Sequence, residues 1–448
     1  MLKLFLATTI ISSSFVSAHS IDTRVTPGFD NNIVKRSAIT PLLAQFAAHP
    51  NVEMTRLGTS FLGQPIDALT IGKGPLKVMM WSQMHGDENT ATAALMDFLD
   101  FITLPENANW LQNWQDKLTL KIIPMINPDG AQLQTRYNAQ DIDLNRDAKA
   151  LRTQEGQILM AAAKRFKPDF GFNLHDQNAY YGAGSQAKTA TISVLAPAYN
   201  DARDINHSRG NAMKLIAQLS QMITQEIPGH LAKYNDSYSY RSFGDTFSEM
   251  GISTILIEAG AYPNDPHRQI ARRVNRMLYV EMIDTLVSGS WQQQELATYQ
   301  AIPFNKSDAW VDLLIDDIKV NTEHGSYHID ISINNKGRLA HINELGDISS
   351  IRQGFTQLDA SQLTYESGKR FHINEPLTLT EQSYKAILKQ GYSCFTGDLS
   401  SITNHSNWPM YPCNKQKPSP QRGAAAHFLL KDNNTVAYAV IGSKLISL

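Results

Sequence analysis

The chain has little of several features that would place it in a specialised class. Of its 448 residues only two are cysteine, and its 40 basic side chains are nearly matched by 42 acidic ones. This balance excludes a broad electrostatic surface for nucleic acid or an anionic membrane. The sequence has no internal repeat and no low-complexity tract, and 42% of its residues are hydrophobic, as in an ordinary globular protein. Recognition must therefore depend on specific pockets, in a chain long enough for two or three domains.

Long hydrophobic runs are also scarce. In residues 1–18, Lys3 precedes a short apolar run that ends on Val16-Ser17-Ala18, the small-residue pattern that a signal peptidase accepts. Thr and Ser interrupt the run, which is shorter than the roughly 20 apolar residues of a membrane span, the competing interpretation. We therefore expect a signal peptide over 1–18, cleavage after Ala18, and a protein without a membrane anchor in the periplasm or outside the cell.

The two cysteines are Cys394 and Cys413. An even number in an exported chain predicts a disulfide that closes a short C-terminal loop, whereas two free buried thiols are the alternative. His405 is alone between them, so the segment lacks the ligands of a structural zinc knuckle.

Strand-like apolar runs alternate with helix-period segments from about residue 41 to residue 290. The predicted strands are 76–83, 118–125, 169–174, 190–195 and 252–257; the predicted helices cover 151–166, 204–226, 267–287 and an apolar stripe of Leu95, Phe98, Leu99 and Ile102. This alternation predicts an α/β fold, a mostly parallel mixed sheet covered by helices on both faces. Arg268, Arg272 and Arg276 repeat along the last helix, and we interpret them as its solvated face.

The pattern changes after Trp291. Tyr327, Ile329, Ile331 and Ile333 alternate with polar residues, as in a half-buried strand. A helix is expected at about 381–390, with Thr378 and Glu381 at capping-box spacing and Gly391 as its stop. We divide the chain into an α/β catalytic domain over 19–300 and a β-rich accessory domain over 301–448 that carries no catalytic signal.

Ionisable residues collect where predicted strands end. His85 and Glu88 follow the first strand, His175 ends the third, and Glu258 ends the last. In open α/β sheets, ligands bind at the carboxyl edge of the strands. The HxxE spacing of His85 and Glu88 is weak evidence for a metal site by itself. His175 could be a core histidine and Glu258 a surface carboxylate, but the clustering of these residues at strand ends would then be accidental. Two histidines, one glutamate and a further carboxylate are what a catalytic zinc site requires.

These residues, taken in order, resemble the zinc metallocarboxypeptidase family (M14 type), whose best-known member is carboxypeptidase A, a His2Glu zinc enzyme. The resemblance covers about residues 40–290. The segments that carry it are His85-Gly86-Asp87-Glu88, Asn127-Pro128-Asp129-Gly130, Arg136, Asp143-Leu144-Asn145-Arg146, His175 and Glu258.

The resemblance implies a role for each residue at a matching position. His85, Glu88 and His175 would bind one zinc ion per chain, and Glu258 would be the general base and acid. Arg136 would polarise the scissile carbonyl. Asn145 and Arg146 would hold the terminal carboxylate of the substrate, for which a guanidinium and an amide are suited, although the same two residues could form a loop salt bridge.

Other parts of the site stay open at this stage. Asp87 stands where some family members carry a basic residue, so substrate preference cannot be transferred. Tyr234, Tyr238 and Tyr240 compete for the position of a tyrosine that closes over the substrate. Asp245 either favours a basic or amine-bearing terminal residue or caps a local turn. Asp176 and the run 181–185 either order the ligand or form one wall of the site.

The function that we expect is an exported zinc carboxypeptidase acting on peptides with a free C-terminus. One alternative keeps the zinc chemistry but acts as a cell-wall peptide amidase or as a deacylase of acylated amino acids. A second alternative is a binding module on an inactive peptidase scaffold. The sequence does not determine the oligomeric state.

Overall fold

The structure is a computed structural model that describes residues 25–185, 187–335, 339–413 and 418–448. The expected signal peptide, 1–18, lies outside the described residues. Within the described ranges, no helix combines the length and hydropathy needed to cross a membrane.

The first part of the chain forms a mixed α/β layer structure. Its strands are β1 Val52–Thr59, β2 Pro65–Ile71, β3 Leu76–Ser82, β4 Leu118–Ile123, β5 Phe170–Asp176, β6 Gly182–Ala183, β7 Ile192–Leu195, β8 Leu231–Lys233 and β9 Ser253–Ala259. Its helices are α1 Arg36–Ala47, α2 Thr90–Thr103, α3 Ala108–Trp114, α4 Pro128–Leu133, α5 Gln154–Phe166, α6 His207–Glu226, α7 Phe243–Glu249, α8 Gln269–Ser288 and α9 Leu296–Ala301.

Eight of these strands make one sheet in the order β1-β2-β4-β3-β5-β9-β7-β8. The four central strands, β4, β3, β5 and β9, run parallel, whereas β1 with β2, β2 with β4, and β7 with β9 are antiparallel. Strand order reverses beside β3, because β4 lies on one side of it and β5 on the other. Such a switch point opens a crevice at the carboxyl ends of the strands.

Helices cover both faces of this sheet. Along β3, Val78 and Met80 pack into a core with α1, α2, α6 and α8, while Met79 and Trp81 pack into a second core with α5 and α7. The alternation follows from the two-residue period of a strand that is buried on both sides. The predicted fold class, a mixed sheet with helices on both faces and a separate β-rich C-terminal region, is confirmed.

The sequence pattern did not reveal β1 and β2. β1 is the edge strand and exposes residues 53–56, so it contains no apolar run. β2 is buried but is interrupted by Asp67, whose carboxylate pairs with Arg36 and Arg56. The interpretation of Arg268, Arg272 and Arg276 as a solvated face was wrong. Arg272 is 1% exposed and Arg276 4%, because α8 packs this side against α2, where Arg272 Nη2 bonds Asp97 Oδ1 at 2.7 Å.

The C-terminal part is β-rich. Its strands are β10 Asn305–Lys306, β11 Trp310–Thr322, β12 Gly325–Asn334, β13 His341–Gly346, β14 Gln353–Asp359, β15 Thr364–Glu366, β16 Lys369–His372, β17 Leu377–Leu379, β18 Tyr392–Thr396, β19 Ile402–Asn404, β20 His427–Asp432, β21 Thr435–Ile441 and β22 Lys444–Ser447. Eight of them form a second sheet, in the order β13-β12-β11-β15-β20-β21-β22 with β14 also paired to β11.

One helix, α10 Glu381–Lys389, lies among these strands. Its capping box uses Thr380 and Ser383, not the predicted Thr378 and Glu381, since Glu381 is already the first helical residue. The predicted disulfide between Cys394 and Cys413 is present, with Cα atoms 5.0 Å apart.

Candidate active site

Three neighbouring strands bring the predicted ligands and the predicted base together. β3 leads directly into the turn that carries His85 and Glu88, β5 contains His175, and β9 contains Glu258. His175 and Glu258 are direct partners in the parallel register of β5 and β9. The side chains named at separate strand ends therefore share one edge of the sheet, where the crevice lies.

Two imidazole rings converge on one carboxylate. His85 Nδ1 lies 2.6 Å from Glu88 Oε1, and His175 Nδ1 lies 2.6 Å from Glu88 Oε2. One ligand atom from each residue falls within 4.8 Å of the others, and all three side chains are buried. Such a compact set of two nitrogens and one carboxylate can hold a single metal ion.

The turn that presents this set depends on close backbone packing. A Cβ at Gly86 would lie 2.0 Å from the carbonyl carbon of Gly130, so only glycine fits. Asn127 secures the opposite side: its Oδ1 accepts from Gly130 N at 2.9 Å, and its Nδ2 donates to Met84 O at 3.2 Å. The segment Asn127-Pro128-Asp129-Gly130 thus supports the turn that carries His85.

Further contacts orient the ligands from behind. Asp143 Oδ1 lies 2.9 Å from His85 Nε2, and the backbone N–H of Asp176 donates to Glu88 Oε2 at 3.2 Å. Among the described residues, Nε2 of His175 has no hydrogen-bond partner. Partners of this kind fix the tautomer and the direction of a metal-binding ring.

The cluster strongly perturbs the protonation of its members. Burial opposes the charged form of Glu88, but the two imidazoles outweigh it and hold the pKa of this carboxyl well below its usual range. Burial likewise disfavours a charged His85, yet Glu88 and Asp143 raise its pKa, whereas burial dominates at His175 and lowers its pKa. An ionised carboxylate is the form of Glu88 that binds metal.

Glu258 lines the cleft beside this set. Burial, with the Glu88 and Asp176 carboxylates nearby, raises its pKa well above the ordinary value. A carboxyl group with a raised pKa, close to residues that can bind a metal ion, is suited to accept and return protons.

Arg136 reaches the same cluster from the loop after α4. Its Nε and Nη2 donate to Asp143 Oδ2 at 3.1 and 3.0 Å, and its Nη1 lies 3.4 Å from Glu88 Oε1. The side chain is 38% exposed toward the cleft. The positively charged guanidinium of Arg136 is therefore held beside Glu88, where it can contact a molecule bound in the cleft.

Asn145 and Arg146 also line the cleft. Asn145 Oδ1 accepts from Phe243 N at 3.0 Å, which fixes the amide and leaves its NH2 group to donate to a bound molecule. Arg146 Nη1 donates to Asn145 O at 2.7 Å and to Ser242 Oγ at 3.3 Å. These contacts are not a loop salt bridge, the alternative considered for this pair, and they leave the rest of the exposed guanidinium facing the cleft.

Asp245 and Asn173 add polar groups to the same wall. Asp245 is 8% exposed, accepts from Ser239 N at 2.8 Å, and has its pKa raised to about 6 by burial. Asn173 is 1% exposed, and neither atom of its amide has a hydrogen-bond partner among the described residues. Because unpaired buried amides are costly, Asn173 marks a place where a ligand can supply the missing partner.

The three candidate tyrosines have different surroundings. Tyr234 lines the cleft, and its OH donates to Gln177 Oε1 at 2.8 Å. Tyr238 instead reaches Glu249 on the outer side of α7, at 3.3 Å, and Tyr240 is 62% exposed beneath the Lys149 ammonium. Of the three, only Tyr234 is placed to contact a bound molecule.

Sequence reasoning did not assign roles to Asp143, Asn173 or Gln177. Asp143 belongs to the segment Asp143-Leu144-Asn145-Arg146, but nothing in the neighbouring sequence indicates that it contacts His85, 58 residues away. Asn173 precedes His175 by two residues on β5, so the strand period places both on one side. That two-residue spacing could have identified Asn173 as a residue of the site.

The cleft that these residues surround has a volume of about 660 Å³, enough for a small peptide end or a comparable ligand. The donor set fits zinc, since two histidines and one carboxylate are typical of catalytic sites that keep a position open. His85, Glu88 and His175 are the residues that would hold the ion.

Comparison with known proteins places the same segment in context. A sequence model described as zinc carboxypeptidase (Peptidase_M14) matches residues 39–204. Carboxypeptidase 2 of Trichophyton tonsurans is 27% identical over 149 residues, which are 33% of this chain and 26% of the relative. Gamma-D-glutamyl-L-diamino acid endopeptidase 1 of Lysinibacillus sphaericus is 32% identical over 92 residues, 19% of this chain and 23% of that protein. The matches thus span about a quarter of each relative's length.

Among solved structures, carboxypeptidase A of Helicoverpa armigera aligns with a TM-score of 0.46 and 17% identity, over 59% of this chain and 76% of that one. The sequence match ends before Tyr234, Asp245 and Glu258. The folded chain nevertheless places these three residues in the lining of the cleft.

Proposed function

This chain belongs to the zinc carboxypeptidase family over residues 39–204, and from that premise we propose that it is an exported zinc-dependent carboxypeptidase. It removes the last residue from peptides that end in a free carboxylate. The observation that carries the proposal is the convergence of His85 and His175 on Glu88, with Glu258 paired in register to His175 at the same sheet edge.

His85, Glu88 and His175 would hold one zinc ion per chain. Zinc in such a site acidifies a water molecule and polarises a carbonyl group. The chain supplies the proton transfers: Glu258 takes a proton from the attacking water and returns it to the leaving amine. Arg136, held beside the cluster by Asp143, stabilises the negative charge that develops on the carbonyl oxygen of the substrate.

The free C-terminus is recognised by Asn145 and Arg146. The part of the Arg146 guanidinium that does not contact Asn145 O and Ser242 Oγ donates to the terminal carboxylate. The Asn145 NH2 group adds a second donor. Recognition of the carboxylate would place the last peptide bond beside Glu258 and the His85, Glu88 and His175 side chains, and it would limit cleavage to the end of the chain.

Asp245 and Asn173 favour a terminal residue whose side chain carries an amine. Both groups line the cleft, as Arg146 does. An ammonium would donate to the Asp245 carboxylate and to the Asn173 carbonyl oxygen, which has no other partner among the described residues. A purely apolar side chain would leave the Asn173 amide without a partner and the Asp245 carboxyl with only the Ser239 N–H, and it would bind less well.

A second candidate function is hydrolysis of cell-wall peptides. The 32% identity over 92 residues to gamma-D-glutamyl-L-diamino acid endopeptidase 1 favours it, as does a pocket that offers both Arg146 and Asp245 to a residue with a carboxylate and an amine. The two candidates share the metal site and the general base. They differ in the substrate that carries the scissile bond.

Export accounts for the N-terminal segment and for the disulfide. Residues 1–18 have the pattern of a cleaved signal peptide, and a Cys394–Cys413 bridge suits an oxidising compartment. The mature protein from its native host should begin at His19. N-terminal sequencing tests this, and an intact Met1 would contradict it.

Product analysis tests the function. Purified protein is incubated with C-terminally varied peptides and with muropeptides, with and without a chelator, and its zinc content is measured. Release of single C-terminal residues that stops on chelation and returns with zinc supports the carboxypeptidase. Cleavage of muropeptides but not of other peptides would support the second candidate function, hydrolysis of cell-wall peptides. If the zinc-loaded protein turns over no substrate, both candidate functions are contradicted and the binding module is the remaining hypothesis.

A further inference from the structure

One wall of the cleft is attached to the C-terminal part of the chain. The segment 177–184 follows β5 and its ligand His175, and Gln177, Asn178 and Tyr181 from this segment line the cleft. The Tyr181 ring packs edge-on against Tyr234, with ring centroids 5.6 Å apart. The segment 177–184 therefore forms one wall of the cleft.

Two successive tyrosines in this wall have different neighbours. Tyr181 lines the cleft, whereas Tyr180 is 8% exposed and contacts the C-terminal part. The Tyr180 OH donates to Asp312 Oδ2 at 2.9 Å. The Tyr180 carbonyl oxygen accepts from the backbone N–H groups of Ala309 and Trp310 at 3.0 and 3.2 Å. Tyr180 is thus bonded through both its side chain and its backbone.

A strand pair makes a second connection. β6 pairs with β10, with Ala183 opposite Asn305, and Gly184 N donates to Phe304 O at 2.9 Å. A Cβ at Gly182 would lie 2.7 Å from the Ala309 Cβ, so the approach of the two parts requires glycine there.

The acceptor on the C-terminal side is itself fixed. Asp312 lies on β11, an inner strand of the second sheet, and its Oδ2 also accepts from Asn335 N at 2.6 Å. The backbone N–H of Asp312 donates to Asn334 Oδ1 at 3.3 Å. Removing the Tyr180 hydroxyl would therefore leave Asp312 Oδ2 with a partner, so the second sheet should keep its stability.

We infer that the C-terminal β-rich part is a positioning element of the active site, which holds the wall carrying Asn178 and Tyr181 through the Tyr180–Asp312 hydrogen bond and the β6–β10 pair. This role rests on the proposed function, because it concerns how that site binds a substrate. Tyr180 and Asp312 are positioning residues, since they act on the cleft only through the wall.

The test compares two tyrosine-to-phenylalanine variants of the full-length, zinc-loaded protein. Tyr180→Phe keeps the packed ring and removes the bond to Asp312. Tyr384→Phe is the matched control, because Tyr384 is also buried and its OH donates to Pro409 O, within the C-terminal part. Hydrogen–deuterium exchange, zinc content and steady-state kinetics on one C-terminal peptide are measured for both.

We expect Tyr180→Phe to exchange faster at amides of residues 177–184 and to raise KM about fivefold, with kcat within about twofold and zinc content unchanged. Tyr384→Phe should match the wild type in all of these. Asp312→Ala should behave as Tyr180→Phe does, and Asp312→Asn, which retains an acceptor oxygen, should restore most of the wild-type KM.

Equal exchange over 177–184 in Tyr180→Phe and Tyr384→Phe would overturn the inference. So would faster exchange with an unchanged KM, since the wall would then be held without effect on the site. If the wild type turns over no peptide, the proposed function fails, and the exchange comparison by itself decides whether Asp312 holds the wall.

Discussion

Asp143 Oδ1 lies 2.9 Å from Nε2 of His85, on the side of the ring opposite Glu88. A ring that offers the lone pair of Nδ1 to a metal carries its proton on Nε2, and Asp143 is the acceptor for that proton. The same carboxylate accepts two hydrogen bonds from the guanidinium of Arg136. One side chain thus orients a proposed zinc ligand and the cation proposed to stabilise the carbonyl oxygen.

We predict that Asp143→Ala will bind zinc about 10- to 100-fold more weakly than the wild type. Asp143→Asn, which still accepts a hydrogen bond but lacks the charge, should fall between them. Competition with a zinc indicator measures the three affinities. Equal affinities for Asp143→Ala and the wild type would mean that His85 needs no support from Asp143.

His175→Ala should lose most of its metal, because two remaining ligands are too few to hold zinc in an open site. Zinc content after gel filtration is the readout. His427→Ala is the control, since His427 is also buried but lies on β20, far from the cluster along the chain. A stoichiometric zinc signal in His175→Ala would remove this residue from the ligand set.

Glu258→Gln should keep its zinc and lose about 10²- to 10⁴-fold in turnover, because an amide cannot take a proton from water at neutral pH. Its stability should not fall, since the substitution removes a charge that burial disfavours. Turnover and zinc content are measured together, with the exposed Glu249→Gln as control. Activity within tenfold of the wild type would show that another group is the base.

The parts of the structure that depend on local pattern were predictable. β3, β5 and β9 are apolar runs that end near His85, His175 and Glu258, and parallel strands place their carboxyl ends at one edge. For that reason, fold class and ligand cluster follow from spacing along the chain. The edge strand β1 has no such apolar run, because most of its side chains are exposed to solvent and can be polar.

Contacts between residues distant in sequence were not predictable. Arg272 is buried because Asp97, 175 residues earlier, faces it across α2 and α8. Nothing near Arg272 in the sequence distinguishes a buried, paired arginine from a solvated one. The same limit applies to Asp143 and His85, and to Tyr180 and Asp312, 132 residues apart. Each pair meets only once the chain has folded.

Selectivity for the terminal residue should depend on pH through Asp245. Its pKa is raised to about 6, so the carboxyl is neutral below that pH and negatively charged above it. The ratio of kcat/KM for a C-terminal Lys peptide to that for a C-terminal Leu peptide should rise about tenfold between pH 5 and pH 8. In Asp245→Asn the ratio should be flat. A wild-type ratio that falls or stays constant with pH would contradict an inward-facing carboxylate.

Arg146 provides the sharpest test of whether the protein binds a substrate with a free C-terminus. If its guanidinium donates to the terminal carboxylate, a C-terminally amidated peptide should react poorly with the wild type, because a charge-assisted pair that positions the scissile bond is lost. Arg146→Ala should cleave the free-acid peptide with a loss of at least about 2 kcal/mol in transition-state binding. It should also discriminate far less between acid and amide.

The deciding quantity is the acid-to-amide ratio of kcat/KM, measured at one salt concentration because exposed charge pairs are screened by salt. Asn145→Ala should lower this ratio less than Arg146→Ala, since a neutral amide donor contributes less than a charged one. Arg165→Ala, an exposed arginine on α5 outside the cleft, should leave it unchanged. An unchanged ratio in Arg146→Ala would mean that this residue does not bind the C-terminus. The proposed carboxypeptidase function would then be replaced by the proposed hydrolysis of cell-wall peptides, because the proposed roles of Glu258 and Arg136 do not require a substrate with a free end.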